Sequence, residues 1–165
     1  MIKLIRLDER LIHGQVAIRW SKFLGVDRIV VIDDESAKND LIKKSLMMAA
    51  PADIKVAIVG MEDGIKMLAD PRAENLSILV LVKTPQNVLA LLNSLKGIKA
   101  VNIGNYGRVA PKNGTMVRKA FALNLYLYDS EISVIKEILK TGVECNYQVT
   151  PDDKPEPLKK ILGSI

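Results

Sequence analysis

Short runs of β-branched and aliphatic residues alternate with amphipathic runs along the whole sequence, and this alternation constrains the fold more than any other feature. The strand-like runs are apolar at nearly every position, most clearly at 28–32 and 76–82. Strands that are apolar on both faces belong to a sheet that is covered on both sides. With helical segments between them, they predict an α/β fold: a doubly wound, mostly parallel sheet of about seven strands with helices on both faces. The length of 165 residues predicts a single domain, residues 1–165.

Hydrophobic periodicity and turn residues position the individual elements. The predicted strands cover residues 4–7, 28–32, 54–59, 76–82, 99–103, 122–128 and 144–149. The predicted helices cover residues 16–24, 37–48 (with Ala37, Leu41, Ser45 and Met48 on one face), 62–69, 85–95 and 130–141, with a short one from about residue 157. The stretch 104–115 contains three glycines and one proline and is predicted to be a loop.

A parallel sheet also predicts where its ligands bind. They lie beyond the carboxyl ends of the strands, in the loops that lead to helices. In this sequence those loops are residues 8–14, 33–36, 83–85 and 104–115. Asp33 and Asp34 are interpreted as helix-capping residues rather than metal ligands, because no third acidic residue follows a comparable strand.

Composition excludes several classes of protein. The single cysteine, Cys145, rules out an internal disulfide and is expected to be a small apolar residue on a strand in a reducing compartment. The first residues are too charged for a signal peptide, and no run approaches the ~18 apolar residues of a membrane span. We therefore expect a soluble, cytoplasmic protein that reaches the membrane only through partners. The net charge of +5 is spread over single or paired basic residues, which argues against nucleic acid and favours phosphate or an acidic protein.

The first of the predicted loops contains the only histidine of the chain, His13. Much of an imidazole is a neutral nucleophile at pH 7 and can accept a phosphoryl group. Arg10 lies three residues earlier, and its guanidinium matches phosphate oxygens. The helix that begins near Gly14 directs free N–H groups into the same space, and Gly14 permits close approach of the backbone. A nucleophile, a fixed cation and a helix N-terminus are what phosphoryl transfer requires.

Two points stay open at this stage. Asp8 could orient the imidazole of His13 or hold Arg10, and the sequence does not decide between them. A lone histidine between a strand and a helix is also often only a capping or exposed residue.

Residues 8–16, Asp-Glu-Arg-Leu-Ile-His-Gly-Gln-Val, closely resemble the active-site segment of enzyme IIB components of the mannose/fructose/sorbose class of the bacterial phosphoenolpyruvate-dependent sugar phosphotransferase system. Weaker matches extend over nearly the whole chain. They comprise Asp33-Asp34 with Ala37, Asp40 and residues 48–51, then Lys83-Thr84-Pro85, and residues 101–104.

The resemblance implies a protein-Nπ-phosphohistidine–sugar phosphotransferase. His13 would accept a phosphoryl group on Nδ1 from the phosphohistidine of the IIA component. It would then pass that group to a sugar held by the membrane components IIC and IID. The resemblance further implies that Arg10 binds the phosphoryl oxygens, that Asp8 occupies an acidic position, and that Thr84 borders the active site. Gly14 and Gln15 complete the expected phosphate-binding residues, and residues 104–106 are expected nearby.

No cofactor and no metal are expected, because Arg10 and backbone donors supply the positive charge. The expected partners are the IIA donor, the IIC and IID permease components and the sugar, whose identity the sequence does not give. Members of the family often self-associate, so a homo-oligomer is left open. The alternatives are a non-catalytic regulatory or binding module of the same fold and a nucleotide-binding enzyme. The second is disfavoured because residues 104–107 and 111–115 lack the phosphate-binding glycine fingerprints.

Overall fold

The computed structural model describes residues 1–163, which form one sheet of seven strands, a separate sheet of two strands, and the helices between them. The strands are β1 (Ile2–Asp8), β2 (Arg28–Ile32), β3 (Lys55–Val59), β4 (Ile78–Val82), β5 (Ala100–Asn105), β6 (Lys119–Ala122), β7 (Leu125–Leu127), β8 (Glu144–Tyr147) and β9 (Glu156–Pro157). The α-helices are α1 (Gly14–Leu24), α2 (Asp34–Lys38), α3 (Asp40–Ala49), α4 (Met61–Ala69), α5 (Pro85–Ser94), α6 (Asp129–Lys140) and α7 (Leu158–Leu162), and a 3₁₀ helix covers Pro71–Asn75.

The large sheet has the order β3-β2-β4-β1-β5-β8-β9. All neighbours in it pair in parallel except β8 and β9, which are antiparallel. Strand β1 therefore lies in the middle, where Leu7 pairs with both Val82 of β4 and Ile103 of β5. Strands β2, β3 and β4 lie on one side of β1, and the connection from β4 to β5 crosses to its other side. The sheet therefore changes winding direction at β1. This topology confirms the predicted doubly wound α/β fold and places the β1–α1 loop where such sheets bind ligands.

Both faces of the sheet are covered by helices. On one face, Trp20 of α1 and Leu46 of α3 pack on alternate strand residues such as Leu4. On the other face, α4, α5, α6 and α7 pack on the intervening residues, for example Leu91 of α5 near Ile5. Each fully buried side chain of this size contributes about 1.5–3 kcal/mol, so the two layers together hold the central strands rigidly.

The single helix predicted over 37–48 is wrong, because Asn39 divides it into α2 and α3. Asn39 has extended backbone angles, and its Oδ1 accepts hydrogen bonds from the N–H groups of Leu41 (3.0 Å) and Ile42 (3.1 Å). An asparagine that caps a helix in this way starts a new one. As a result, Leu41 and Met48 are exposed on α3 by 78% and 87%.

The single strand predicted over 122–128 is also wrong. The chain reverses at Leu123-Asn124, and β6 and β7 pair antiparallel in the small sheet. The number of strands in the large sheet still agrees with the prediction, because β9 adds the seventh strand at the edge beside β8. Cys145 lies buried on β8 as predicted, and burial raises the pKa of its thiol to about 11.

In the part of the chain that the structure describes, no helix is long and apolar enough to cross a membrane.

Candidate active site

The loop between β1 and α1 is shaped by two residues with left-handed backbone. Leu11 has φ 57° and Gly14 has φ 47°, and the N–H of Leu11 donates to the carbonyl of Asp8 at 2.9 Å. Leu11 and Ile12 are buried in the core on the α1 side. These apolar anchors fix the loop so that His13 becomes the N-cap residue of α1.

The imidazole of His13 is half-buried and directed by one carbonyl. Its Nδ1 lies 3.2 Å from the carbonyl oxygen of Leu11. Its Nε2 is enclosed and has no hydrogen-bond partner among residues 1–163. Because a carbonyl only accepts hydrogen bonds, Nδ1 is the donor in this contact and carries a proton, so the lone pair of a neutral ring would lie on Nε2.

The N-terminus of α1 is open to an anion. No side chain within the described residues caps this helix, and its first turn contains no acidic residue. Gly14 and Gln15, the first two residues of the helix, are both exposed. By contrast, α5 is capped by the hydroxyl of Thr84 and α3 by Asn39. The free N–H groups of α1, next to His13, therefore form an anion-binding position.

Asp8 holds Arg10. The Asp8 carboxylate is fully buried at the end of β1. Its Oδ1 accepts hydrogen bonds from the backbone N–H (3.1 Å) and Nε (3.2 Å) of Arg10, and Oδ2 accepts one from Nη2 at 3.4 Å. The Arg10 side chain is nevertheless 41% exposed. Of the two roles considered for Asp8, the contacts favour the orientation of Arg10, since the imidazole bonds to Leu11 instead.

A second arginine, Arg6, lies beneath Asp8 and was not singled out from the sequence. Its Nη2 donates to Asp8 Oδ2 at 3.1 Å, and the side chain is only 2% exposed. Residues i and i+2 of a strand point to the same face, so the spacing of Arg6 and Asp8 was the signal that could have paired them.

Glu9 was also not singled out, and it attaches the neighbouring loop. Its buried carboxylate accepts hydrogen bonds from four consecutive backbone N–H groups, those of residues 107–110, at 2.9–3.1 Å. Asn105 Nδ2 adds a fifth at 3.3 Å. The predicted proximity of residues 104–106 to the active site follows from the pairing of Asp8 with Asn105. No sequence motif predicted the role of Glu9, because its hydrogen-bond partners lie about a hundred residues away in the sequence.

Thr84 is the second residue after β4, the strand that pairs with β1. Its Oγ1 accepts a hydrogen bond from the N–H of Asn87 at 3.2 Å, which caps α5. The hydroxyl proton remains able to donate to an anion. The neighbouring Lys83 donates to Glu35 at 2.8 Å, and this hydrogen bond raises the pKa of Lys83.

The acidic pair after β2 caps helices, as the sequence indicated. Asp33 Oδ2 accepts hydrogen bonds from the N–H (2.9 Å) and Oγ (2.6 Å) of Ser36, and Asp34 Oδ1 accepts one from the N–H of Met61 at 2.8 Å. Within residues 1–163 no three His, Cys, Asp or Glu side chains group in a way that could hold a metal ion.

The doubly wound fold and a histidine at a helix N-terminus are typical of a phosphoryl-transfer protein, and comparison with known sequences identifies the family. The family model of the sorbose subfamily IIB component of the phosphotransferase system matches residues 2–165. A "Probable phosphotransferase enzyme IIB component" of Streptococcus pyogenes is 37% identical over 164 residues, covering 99% of this chain and 100% of that protein. The chain therefore belongs to the enzyme IIB components of the sorbose/mannose class, which are phosphotransferases.

Two further relatives support this assignment. The crystal structure of the IIB domain of the sorbose permease from Klebsiella pneumoniae superimposes with a TM-score of 0.89 at 26% identity, covering 98% of this chain and 96% of that domain. The mannose-specific EIIAB component of Escherichia coli K12 is 28% identical over 165 residues, all of this chain but 49% of that protein.

Proposed function

We propose that this chain carries a phosphoryl group on His13, taking it from the phosphohistidine of a IIA component and passing it to a sugar held by IIC and IID. One observation supports the proposal above all others. The only histidine of the chain stands at the uncapped N-terminus of α1, in the same short loop as Arg10, which Asp8 holds while leaving it partly exposed. Residues 1–165 act as one IIB-type domain in this proposal.

The chemistry depends mainly on positioning and on charge stabilisation. A ring nitrogen of His13 attacks phosphorus with its lone pair as the bond to the donor nitrogen breaks. Arg10 and the free N–H groups of Gly14 and Gln15 bind the phosphoryl oxygens in both transfers. The hydroxyl of Thr84 donates a further hydrogen bond from the adjacent strand.

The identity of the phosphorylated nitrogen has a consequence for the imidazole. If the phosphoryl group is carried on Nδ1, as the family resemblance implies, the contact between Nδ1 and the Leu11 carbonyl must be released. The proton must then reside on Nε2. Charging of His13 therefore includes a local reorientation of the ring within the loop.

The partners follow from the family. The EIIAB relative carries IIA and IIB in one chain, which supports a IIA component as the phosphoryl donor. We infer that the sugar is selected by the membrane components, so the names of the relatives do not assign a sugar to this chain. The protein acts at the inner face of the membrane while bound to these components.

Discharge to sugar tests the proposal against the alternative of a non-catalytic regulatory module. The purified protein is charged with labelled phosphate through phosphoenolpyruvate and the general phosphotransferase proteins. It is then mixed with membranes that contain the cognate IIC and IID. Loss of label from the protein and appearance of sugar phosphate only when sugar is added are expected. A charged protein that keeps its label in the presence of competent membranes and sugar supports the regulatory module and overturns the transfer step.

A further inference from the structure

Arg6 is a fully buried cation next to the active site. Its residue exposure is 1%, and its two neighbours in β1, Ile5 and Leu7, are buried apolar residues. Its guanidinium donates to four acceptors: Asn102 Oδ1, Asp8 Oδ2 (3.1 Å), and the carbonyls of Gln148 and Val149 (2.9 Å each). Only a planar fork with several N–H groups can serve acceptors in these directions together.

The surroundings of Arg6 are shaped to hold a guanidinium. Trp20 of α1 lies against it, with 4.9 Å between the guanidinium carbon and the ring centroid. On the neighbouring strand β5, a Cβ atom at Gly104 would overlap the guanidinium, so glycine is required there. The indole Nε1 of Trp20 also donates to the Val149 carbonyl at 3.1 Å, which fixes the same segment from a second side.

Burial of this cation costs free energy, and stability alone does not explain why a charge is kept here. Removal from water lowers the pKa of Arg6 to about 10, and the guanidinium therefore remains protonated at neutral pH. Well-packed apolar residues often stabilise a core as well as a buried ion pair does. The place of Arg6 directly beneath the carboxylate that holds Arg10 suggests a role in the reaction rather than in stability alone.

We propose that Arg6 is a positioning residue for phosphoryl transfer: it fixes the Asp8 carboxylate, and Asp8 in turn aims Arg10 at the phosphoryl group. This inference rests on the proposed function of His13. Arg6 touches neither the phosphoryl group nor His13 in this arrangement and acts only through Asp8. Two of the four hydrogen bonds, to the carbonyls of Gln148 and Val149, attach the segment after β8 to Arg6, so this segment contributes to the rigidity of Arg10.

A double-mutant cycle on the charging rate tests this role. The variants are Arg6→Lys, Arg10→Ala and the two combined, with the rate of phosphoryl transfer from charged IIA and the stability to urea measured for each. Arg6→Lys keeps a cation beside Asp8 but cannot serve all four acceptors. We expect it to slow charging by about 10- to 100-fold, the usual cost of a small misplacement of a catalytic group. In the Arg10→Ala background the same change should slow charging less than about threefold, because residues that act as a unit are not additive.

Stability separates this role from a merely structural one. Arg6→Lys should lower the urea midpoint to the same extent in both backgrounds, whereas its effect on the charging rate should fall below about threefold without Arg10. Gly104→Ala provides a second route, since it displaces the guanidinium without removing it, and it replaces Arg6→Lys if that variant does not fold. Arg72→Lys is the matched control, because the Arg72 side chain is 91% exposed in the 3₁₀ helix that precedes β4. This variant should charge at the wild-type rate.

The outcomes distinguish this inference from the proposed function. Wild-type protein that does not charge overturns both. Two results would overturn only the positioning role of Arg6, provided that the wild type charges. The first is an Arg6 variant that charges at the wild-type rate. The second is an Arg6 variant whose charging rate falls by the same factor with and without Arg10.

Discussion

Backbone strain is concentrated in the residues of the β1–α1 loop. Leu11 is the only non-glycine residue among the described positions with positive φ, and left-handed backbone costs such a residue roughly 1–2 kcal/mol. Burial of its side chain offsets this cost. The strained residue supplies the carbonyl that faces His13 Nδ1, so strain and function coincide in one turn.

Gly14 offers a test at the residue scale. Gly14→Ala places a side chain on left-handed backbone where nothing lies within 4 Å of the new Cβ, so strain is the only local change. We expect a loss of roughly 1–2 kcal/mol of unfolding free energy and slower charging of His13. Urea unfolding and transfer rates measure the two effects.

The control for Gly14 is Gly97→Ala. Gly97 has φ 76° and equally open surroundings, but it precedes the amino end of β5, whereas His13 follows the carboxyl end of β1. It should lose similar stability and charge at the wild-type rate. Equal charging rates for both variants would show that the conformation of Gly14 does not matter for transfer.

The sequence was informative about some site residues and silent about others, for a physical reason. His13 is the only histidine, and Arg10 lies in the same loop, so local spacing sufficed to bring them together. Arg6 and Glu9 looked like ordinary charges because their partners, such as Asn102 and residues 107–110, are about a hundred residues distant. Burial of a charge depends on such distant partners and leaves no local pattern.

Among the elements, the loop after β5 is attached to the active site chiefly through one carboxylate. Glu9 accepts hydrogen bonds from every backbone N–H of residues 107–110. Gly107 is required at the start of this turn, because it has φ 94° and a Cβ there would overlap the backbone of Tyr126. The loop and the His13 loop should therefore move as one unit.

Glu9→Gln tests this attachment at the scale of the element. The amide replaces one acceptor oxygen with a donor that faces other N–H groups, so we expect a loss of about 2–4 kcal/mol of unfolding free energy. Amide hydrogen exchange of residues 107–110 should become much faster than in the wild type. Exposed Glu74→Gln is the control. Unchanged exchange at residues 107–110 in Glu9→Gln would contradict the attachment.

Element boundaries show where local patterns are insufficient. The alternation of residues 122–128 resembled one strand because the turn at Leu123-Asn124 contains neither glycine nor proline. The run 37–48 resembled one helix because Asn39 was not recognised as a cap. Strands β2 and β4 were predictable because they are apolar on both faces, a pattern that exposed loops do not share.

On the scale of the whole molecule, a buried ion pair connects the loop between β5 and β6 to α6. Arg118 donates to Glu131 at 2.9 Å, and the two side chains are 8% and 7% exposed. The hydroxyl of Tyr106 and the N–H of Tyr128 also donate to Glu131, at 2.7 and 2.8 Å. Although burial opposes it, hydrogen bonds led by that of Arg118 lower the pKa of Glu131 below its ordinary value of 4.5.

The lowered pKa of Glu131 predicts part of the acid sensitivity of the fold. A lowered pKa means that the folded state favours ionised Glu131, so its contribution is fully present above pH 4.5 and is lost as pH falls through the lowered value. Glu131→Gln should therefore flatten the decline of unfolding free energy in acid, measured by urea titration at several pH values. Asp129→Asn, in an exposed pair, is the control. A decline as steep as that of the wild type would contradict the role of Glu131.

Phosphorylation of the purified protein tests the role of His13 most directly. Wild-type protein and His13→Asn, which keeps a good N-cap residue for α1, are incubated with phosphoenolpyruvate, the general phosphotransferase proteins and IIA. The wild type should gain one phosphoryl group per chain that is stable in base and labile in acid, and His13→Asn should gain none. Equal labelling of both proteins, or no labelling of the wild type by a IIA shown to be charged, would contradict the assignment of His13 as the phosphoryl carrier.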